Sequence, residues 1–146
     1  MKNAIMPFMK KTSFISCILV SALMAFGILS VSCKSTPVEV PYDASELEII
    51  QLAQTAYDSG DQKLAVEYYS MLITRFGMDT ATYIEGRYEI AHIYVKQKKY
   101  DLAAPMLEEI IAIYESSAPG ALPGAYRKLA LSDYQKIPED KRQSSK

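Results

Sequence analysis

The residues able to do chemistry are few and scattered. The chain of 146 residues holds one histidine, His92, and two cysteines, Cys17 and Cys33. A lone histidine gives no histidine-based metal cluster. With no cysteine after Cys33, the rest of the chain has neither a thiolate metal site nor a disulfide. Glu85 and Glu89 stand four residues apart, on either side of Arg87. Paired carboxylates can exchange protons with a substrate. Flanking an arginine on an amphipathic helix, they read instead as a solvated face. There is no Gly-x-Ser-x-Gly motif, no phosphate loop and no dinucleotide fingerprint, and Gly120 and Gly124 are loop glycines. These residues point away from catalysis and call for no cofactor and no metal.

Cys33 stands apart because of its position. Lys10 and Lys11 precede an almost wholly apolar run from Ser13 to Val31, and small residues follow at Ser30-Val31-Ser32-Cys33. That is the order of a secretion signal, here residues 1–32. Met9-Lys10-Lys11 also reads as a natural start. The segment Leu29-Ser30-Val31-Ser32-Cys33 resembles the lipobox of bacterial lipoproteins, with Ser30 where that family usually has Leu and Leu29 one place earlier. The resemblance implies that Cys33 becomes the first mature residue and carries lipid on its sulfur. It also implies anchorage in the bacterial cell envelope, the outer membrane favoured, with the rest of the chain facing the periplasm. Two other readings of the same stretch stay open. Ser30-x-Ser32 suits ordinary signal peptidase, and the apolar run is close to the ~20 residues that span a bilayer uncleaved. Cys17 has too little apolar sequence before it to compete.

Removing Lys2, Lys10 and Lys11 with the signal leaves 13 basic and 17 acidic groups, net −4. A mildly acidic, mixed surface suits solubility and is a poor match for nucleic acid, which wants a concentrated positive face. Residues 33–44 read as the lipidated cysteine and a tether, because Pro37, Pro41 and few apolar residues preclude a helix. Beyond it, stripes of helical period recur. Ile49, Leu52, Ala53, Ala56 and Tyr57 form the first, with Ser45 as N-cap. Leu64, Ala65, Tyr68, Tyr69, Leu72, Ile73 and Phe76 form the second, closed by Gly77. The third, begun by Asp79 and Thr80, carries Ile84, Tyr88, Ala91, Tyr94 and Val95. The fourth carries Ala103, Met106, Leu107, Ile110, Ile111 and Tyr114, with Pro105 placed in its first turns. A fifth helix is expected from about Leu122 to Ile137, with Ala125, Tyr126, Leu129 and Ala130 inward. Pro138 stops it, and residues 138–146 are expected to fray as a flexible tail.

Helices in close pairs invite a search for a repeat. Leu52-Ala53, Ala56, Gly60-Asp61, Ala65, Tyr69 and Leu72 are echoed by Ile90-Ala91, Tyr94, Lys99-Tyr100, Ala103, Leu107 and Ile110, with the alanines offset by 38 residues (Ala53 to Ala91, Ala65 to Ala103). This pattern resembles the tetratricopeptide (TPR) repeat, whose usual period is ~34. The added residues fall around Phe76 to Thr82. The resemblance implies an all-α domain over residues 45–137. Its antiparallel hairpins, about five helices, would form a short right-handed solenoid, the fifth helix serving as a half repeat or cap. Paired small residues, Ala53 with Ala65 and Ala91 with Ala103, would let the helices of each hairpin approach.

TPR-type domains bind through a concave face lined by the first helix of each hairpin. Carried onto this chain, that face comprises Leu47, Ile50, Gln54, Tyr57 and Asp58 in the first copy, and Glu85, Tyr88, His92, Val95 and Lys96 in the second. Its aromatic and polar mixture suits an extended peptide or protein segment. Leu47 and Glu85 stand where a clamp for a terminal carboxylate would need Lys and Asn. Packing of Tyr57, Tyr88 and His92 against a neighbouring helix is the competing reading. The chain also resembles, distantly, the outer-membrane assembly lipoproteins with TPR-like hairpins. It has room for only two full repeats and a cap. The expected function is a non-catalytic envelope adaptor for a protein partner. The alternative is a small-molecule or transporter-associated binding lipoprotein.

Overall fold

A computed structural model of the chain describes residues 39–142. The expected signal segment, Cys33, the start of the tether and the last four residues lie outside the described residues. Six helices follow one another: α1 (Glu46–Asp58), α2 (Gln62–Phe76), α3 (Thr80–Lys96), α4 (Tyr100–Ser116), α5 (Gly124–Lys136) and α6 (Glu139–Arg142). Among the described residues there is no strand, and no helix is long and apolar enough to cross a membrane. The protein is thus all-helical here; each helix from α1 to α4 packs against the next, and α6 packs against α4.

Local chemistry sets most of the boundaries. Ser45 opens α1 with a capping box: Glu48 N–H donates to its hydroxyl, and its own N–H donates to the Glu48 carboxylate at 2.7 Å. Two orphan amides are satisfied reciprocally, and the bond holds the Glu48 carboxyl below its usual range. Asp61 caps α2 through Leu64 N–H at 3.0 Å, and Asp79 caps α3 through Thr82 N–H at 2.9 Å. Gly77 closes α2 as expected, with a right-handed φ of −68°. Pro105 lies deeper than expected. It is the sixth residue of α4, past the orphan amides of the first turn, so one helical hydrogen bond is missing there.

The two hairpin turns repeat bond for bond. In the first, Gly60 N–H donates to Tyr57 O and Asp61 N–H to Ala56 O. In the second, Lys98 N–H donates to Val95 O and Lys99 N–H to Tyr94 O. Both are Schellman closures, which require a left-handed residue just past the helix. Gly60 supplies it at φ 85°, and Lys98 adopts it at φ 58°. The 38-residue offset read from the alanines therefore holds for the backbone of the turns.

Packing follows from the small residues. Ala53 and Ala65 are wholly buried in one apolar cluster, and Ala91 and Ala103 in a second. Tyr69 and Leu107 fill the spaces beyond them, 3% and 0% exposed. Between α2 and α3 the contact is closer still. A methyl on Gly86 would lie 2.8 Å from Ile73 Cγ1 and 3.3 Å from Tyr69 O. A side chain at position 86 would therefore have to displace the Ile73 side chain.

Three expectations change. The inward face of α5 is rotated from the one expected: Ala130, Asp133 and then Ile137 are buried, while Leu129 and Ala125 face outward. The missing signal was Asp133, a charged residue on what is otherwise an apolar stripe. The tail is partly ordered, because Glu139–Arg142 forms α6, tied to α4 by Lys141 and Asp101 at 3.1 Å. The tether ends early. Val40 packs against the first cluster, and Arg75 donates to the carbonyls of Pro41 (2.7 Å) and Val40 (3.4 Å).

Candidate functional site

The expected binding residues lie on α1 and α3, and α5 decides which of them stay open. α5 packs against α3 as well as α4. It covers the part of α3 that carries Tyr88, His92 and Val95. Tyr88 is 5% exposed, its ring stacked near His92 (5.7 Å) and tilted against Tyr126 (5.5 Å). Val95 is buried and Lys96 is exposed at the end of α3. On α1, Leu47, Gln54 and Asp58 are exposed, and Ile50 and Tyr57 are half-buried at the edge of the first cluster. Tyr88 and Val95 therefore act as packing residues, whereas the first-copy positions remain accessible.

The α3–α5 contact is built on a buried carboxylate. Asp133 is 1% exposed and receives three donors: Lys136 Nζ at 2.6 Å, His92 Nδ1 at 2.5 Å and the Tyr88 hydroxyl at 3.2 Å. Burial alone would raise its pKa. The bonds from Lys136 and His92, and their charges, outweigh that and hold the carboxyl below its usual range. An ionised carboxylate only accepts, so His92 carries its hydrogen on Nδ1, which leaves Nε2 as the free ring position. The Tyr88 hydroxyl is pushed up, by burial first and then by Asp133.

A second group of side chains on α2, α3 and α5 is coupled through charge and burial. The Tyr69 hydroxyl, sent up from α2, is held well above its ordinary range by burial and then by Glu89, Glu85 and Asp58. Tyr126 of α5 is pushed the same way, by burial first and then by Glu85 and Glu89. Burial, with Glu85 and Asp133 nearby, also raises the Glu89 carboxyl, against the opposing pull of His92. Near this group a cleft of about 300 Å³ is lined by Glu46, Thr82, Glu85, Tyr114 and Tyr126, among others. The Thr82 hydroxyl donates to Glu46 at 2.8 Å across it, tying α3 to α1. Arg87 turns away to Glu109 on α4 at 2.7 Å, so it does not lie between Glu85 and Glu89 as their counter-charge. Two other clefts, beside Pro41 to Thr55 and under residues 114–127, collect no ionisable group buried between helices.

The arrangement can hold a ligand against tyrosine rings and carboxylates. Among the described residues, no three His, Cys, Asp or Glu side chains are placed to hold a metal ion. The sequence pattern names Glu85, Tyr57 and His92 as candidates. It missed Glu89, Tyr69 and Tyr126 as parts of one face, because their proximity depends on how the helices stack. No family model matches the chain, and no solved structure matches it. An uncharacterized protein of Treponema pallidum (strain Nichols) is 35% identical over 119 residues, covering 77% of this chain and 48% of that protein. The chain thus spans about half the length of that relative.

Proposed function

We propose that the chain is an exported lipoprotein, anchored through Cys33, whose helical domain is a TPR-type adaptor for a protein partner in the bacterial envelope, as in outer-membrane assembly. The partner lies as an extended segment across the face shared by α1, α3 and α5. The observation that carries this reading is the bond-for-bond repeat of the two hairpin turns, 38 residues apart. Repeated turns set successive hairpins in one orientation, so their first helices line a common face. The exposed Leu47 and Gln54, with half-buried Ile50, Tyr57 and Glu85, give that face the mixture that protein segments use.

A photo-crosslinker at Tyr57 in cells is expected to capture one envelope protein at normal expression, whereas the same probe at exposed Glu67 on α2 captures none. An empty result at Tyr57 would count against the adaptor. Anchorage is separable: Cys33→Ala is expected to release the domain from membranes and abolish fatty-acid labelling. Retention of the variant in the membrane would favour an uncleaved anchor. The second reading, a small-molecule carrier, is supported by the cleft of about 300 Å³ beside Glu46 and Tyr126, at the small end of ligand pockets. A ligand co-purifying with the protein would select it.

A further inference from the structure

We propose that the end of the helical array from which the N-terminal segment leaves is seated on a lipid bilayer, with Tyr42 and Met78 at the boundary between headgroups and acyl chains. The inference rests on the anchorage reading and adds a contact that the lipid on Cys33 does not supply. Direct contacts define this end. Arg75, in the last turn of α2, donates to the Pro41 carbonyl ahead of α1 at 2.7 Å. Thr82, in the first turn of α3, donates to Glu46 in the first turn of α1 at 2.8 Å. One cleft there is lined by Glu46, Asp79, Thr82, Tyr114 and Pro123, which brings in the end of α4 and the start of α5. Residues 40–45 and the connections 77–79 and 117–123 therefore share one end of the array.

These three segments contain two charged residues, Asp43 and Asp79, and no Lys or Arg. Asp79 is engaged in capping α3. Tyr42 is 96% exposed and Met78 99%; the next large apolar side chain, Leu47 at 62%, stands in the first turn of α1 at the same end. Ala118, Pro119 and Ala121 are exposed as well. The opposite end differs in kind. There the connections 59–61 and 97–99 and the segment 137–142 contain seven charged residues, four of them Lys or Arg. Contacts of Gln97 with Gln62 at 2.8 Å and of Lys141 with Asp101 at 3.1 Å hold that end together.

A single exposed apolar side chain is ordinary on a protein surface. Two almost fully bare ones at one end, among segments poor in charge, mark a contact surface. The chain that leads to this end says what covers it. Only residues 34–39 separate Cys33 from Val40, so even fully extended chain spans at most about 25 Å between them. A lipid on Cys33 keeps this end close to the bilayer, and α3, at ~1.5 Å per residue, sets the charged end roughly 25 Å further out. Tyrosine suits headgroup level, with its ring in the apolar layer and its hydroxyl in water. With the adjoining helical turns included, the acidic Asp43, Glu46, Glu48, Asp79 and Glu115 outnumber the basic Arg75 and Arg127. The surface it fits is therefore one of neutral headgroups, met by apolar contact rather than by attraction to anionic lipid.

The test reconstitutes the full chain, purified from membranes, in phosphatidylcholine vesicles. No cysteine follows Cys33, so each added cysteine is the free thiol of the acylated chain. Tyr42→Cys, Met78→Cys, Ala121→Cys and, at the charged end, Ser59→Cys each carry an environment-sensitive fluorophore. Doxyl-labelled phosphatidylcholine is expected to quench the first three about twofold, as for groups at the headgroup–acyl boundary, and Ser59→Cys not at all. Added phosphatidylglycerol should not deepen the quenching. Combining Ala121→Cys with Tyr42→Ser and Met78→Ser should abolish it, with the helical circular-dichroism signal retained. Equal quenching at all four positions would overturn the seated end in favour of a domain lying on its side. Labels at Tyr42→Cys and Met78→Cys that shift to the blue without being quenched would overturn it in favour of a second copy of the chain. Mass spectrometry of the N-terminus reads anchorage separately. An acylated Cys33 without quenching leaves anchorage standing and overturns the seat, whereas an unacylated Cys33 overturns both.

Discussion

Asp133 and Lys98 show how single residues depart from what their types predict. A buried aspartate on a helix stripe would ordinarily be a fault. Here three donors satisfy it, and the α3–α5 contact depends on it. Asp133→Ala is expected to destabilise the domain by about 3 kcal/mol, since it leaves buried donors unmatched. Asp133→Asn should cost less, because the amide oxygen still accepts. The folded pKa of Asp133 lies below its unfolded value near 3.8. Its contribution is therefore complete above pH 3.8 and declines as pH falls through the lower folded value. Chemical denaturation at pH 7 and pH 3 should show a smaller pH effect in Asp133→Asn than in the unaltered chain. An equal effect would remove Asp133 from the account. Lys98 occupies a left-handed position that Gly60 fills in the other copy. Lys98→Gly is expected to gain up to about 1 kcal/mol, as relief of backbone strain exceeds the entropy of the added freedom. Thermal melting reads this directly. Neither role was legible in the sequence, because each is set by a partner distant along the chain or by a dihedral angle.

At the scale of elements, the reading from sequence was largely sufficient. Ser45, Asp61 and Asp79 are cap residues whose side chains act within three positions, so their effect is local and visible in the chain. The stripes on α1 to α4 were legible because large apolar residues dominate them. α5 was misread since its exposed Leu129 and Ala125 outnumber, in apparent apolarity, the buried Asp133. The α2–α3 contact turns on Gly86, which no periodicity singles out. Gly86→Val must separate the two helices or displace Ile73, and is expected to cost about 1–3 kcal/mol. Gly86→Ala gains helix propensity against a smaller clash, so the two variants together separate packing from propensity. Equal stability in urea for Gly86→Val and the unaltered chain would show that the helices have slack there.

Across the whole domain, stability is graded along the array. α3 is flanked by α2, α4 and α5, whereas α1 and α5 stand at its ends. Amide hydrogen exchange is expected to be slowest in the middle of α3, around Ile84 to Ile93, and faster in α1 and α5. Uniform protection would mean that the helices open as a single unit. The stacking order itself was not readable from stripes, and it is what brings Tyr69, Glu89 and Tyr126 to one face. The face open on α1 and partly closed on α3 follows from α5 lying across the second copy alone.

The hold of Arg75 on Val40 and Pro41 has a mechanical meaning. The guanidinium sits near the end of α2, yet it holds the segment that leads into α1. Tension applied to the chain ahead of Val40 would therefore enter the domain at α2, with the Ser45 cap and the first turn of α1 behind that hold. The load then falls as shear on a guanidinium–carbonyl contact and on the buried side of Val40, rather than as peeling of one helix turn at a time. A domain pulled from that side would yield abruptly at the Arg75 clasp, and it would hold its α1 face intact until that point.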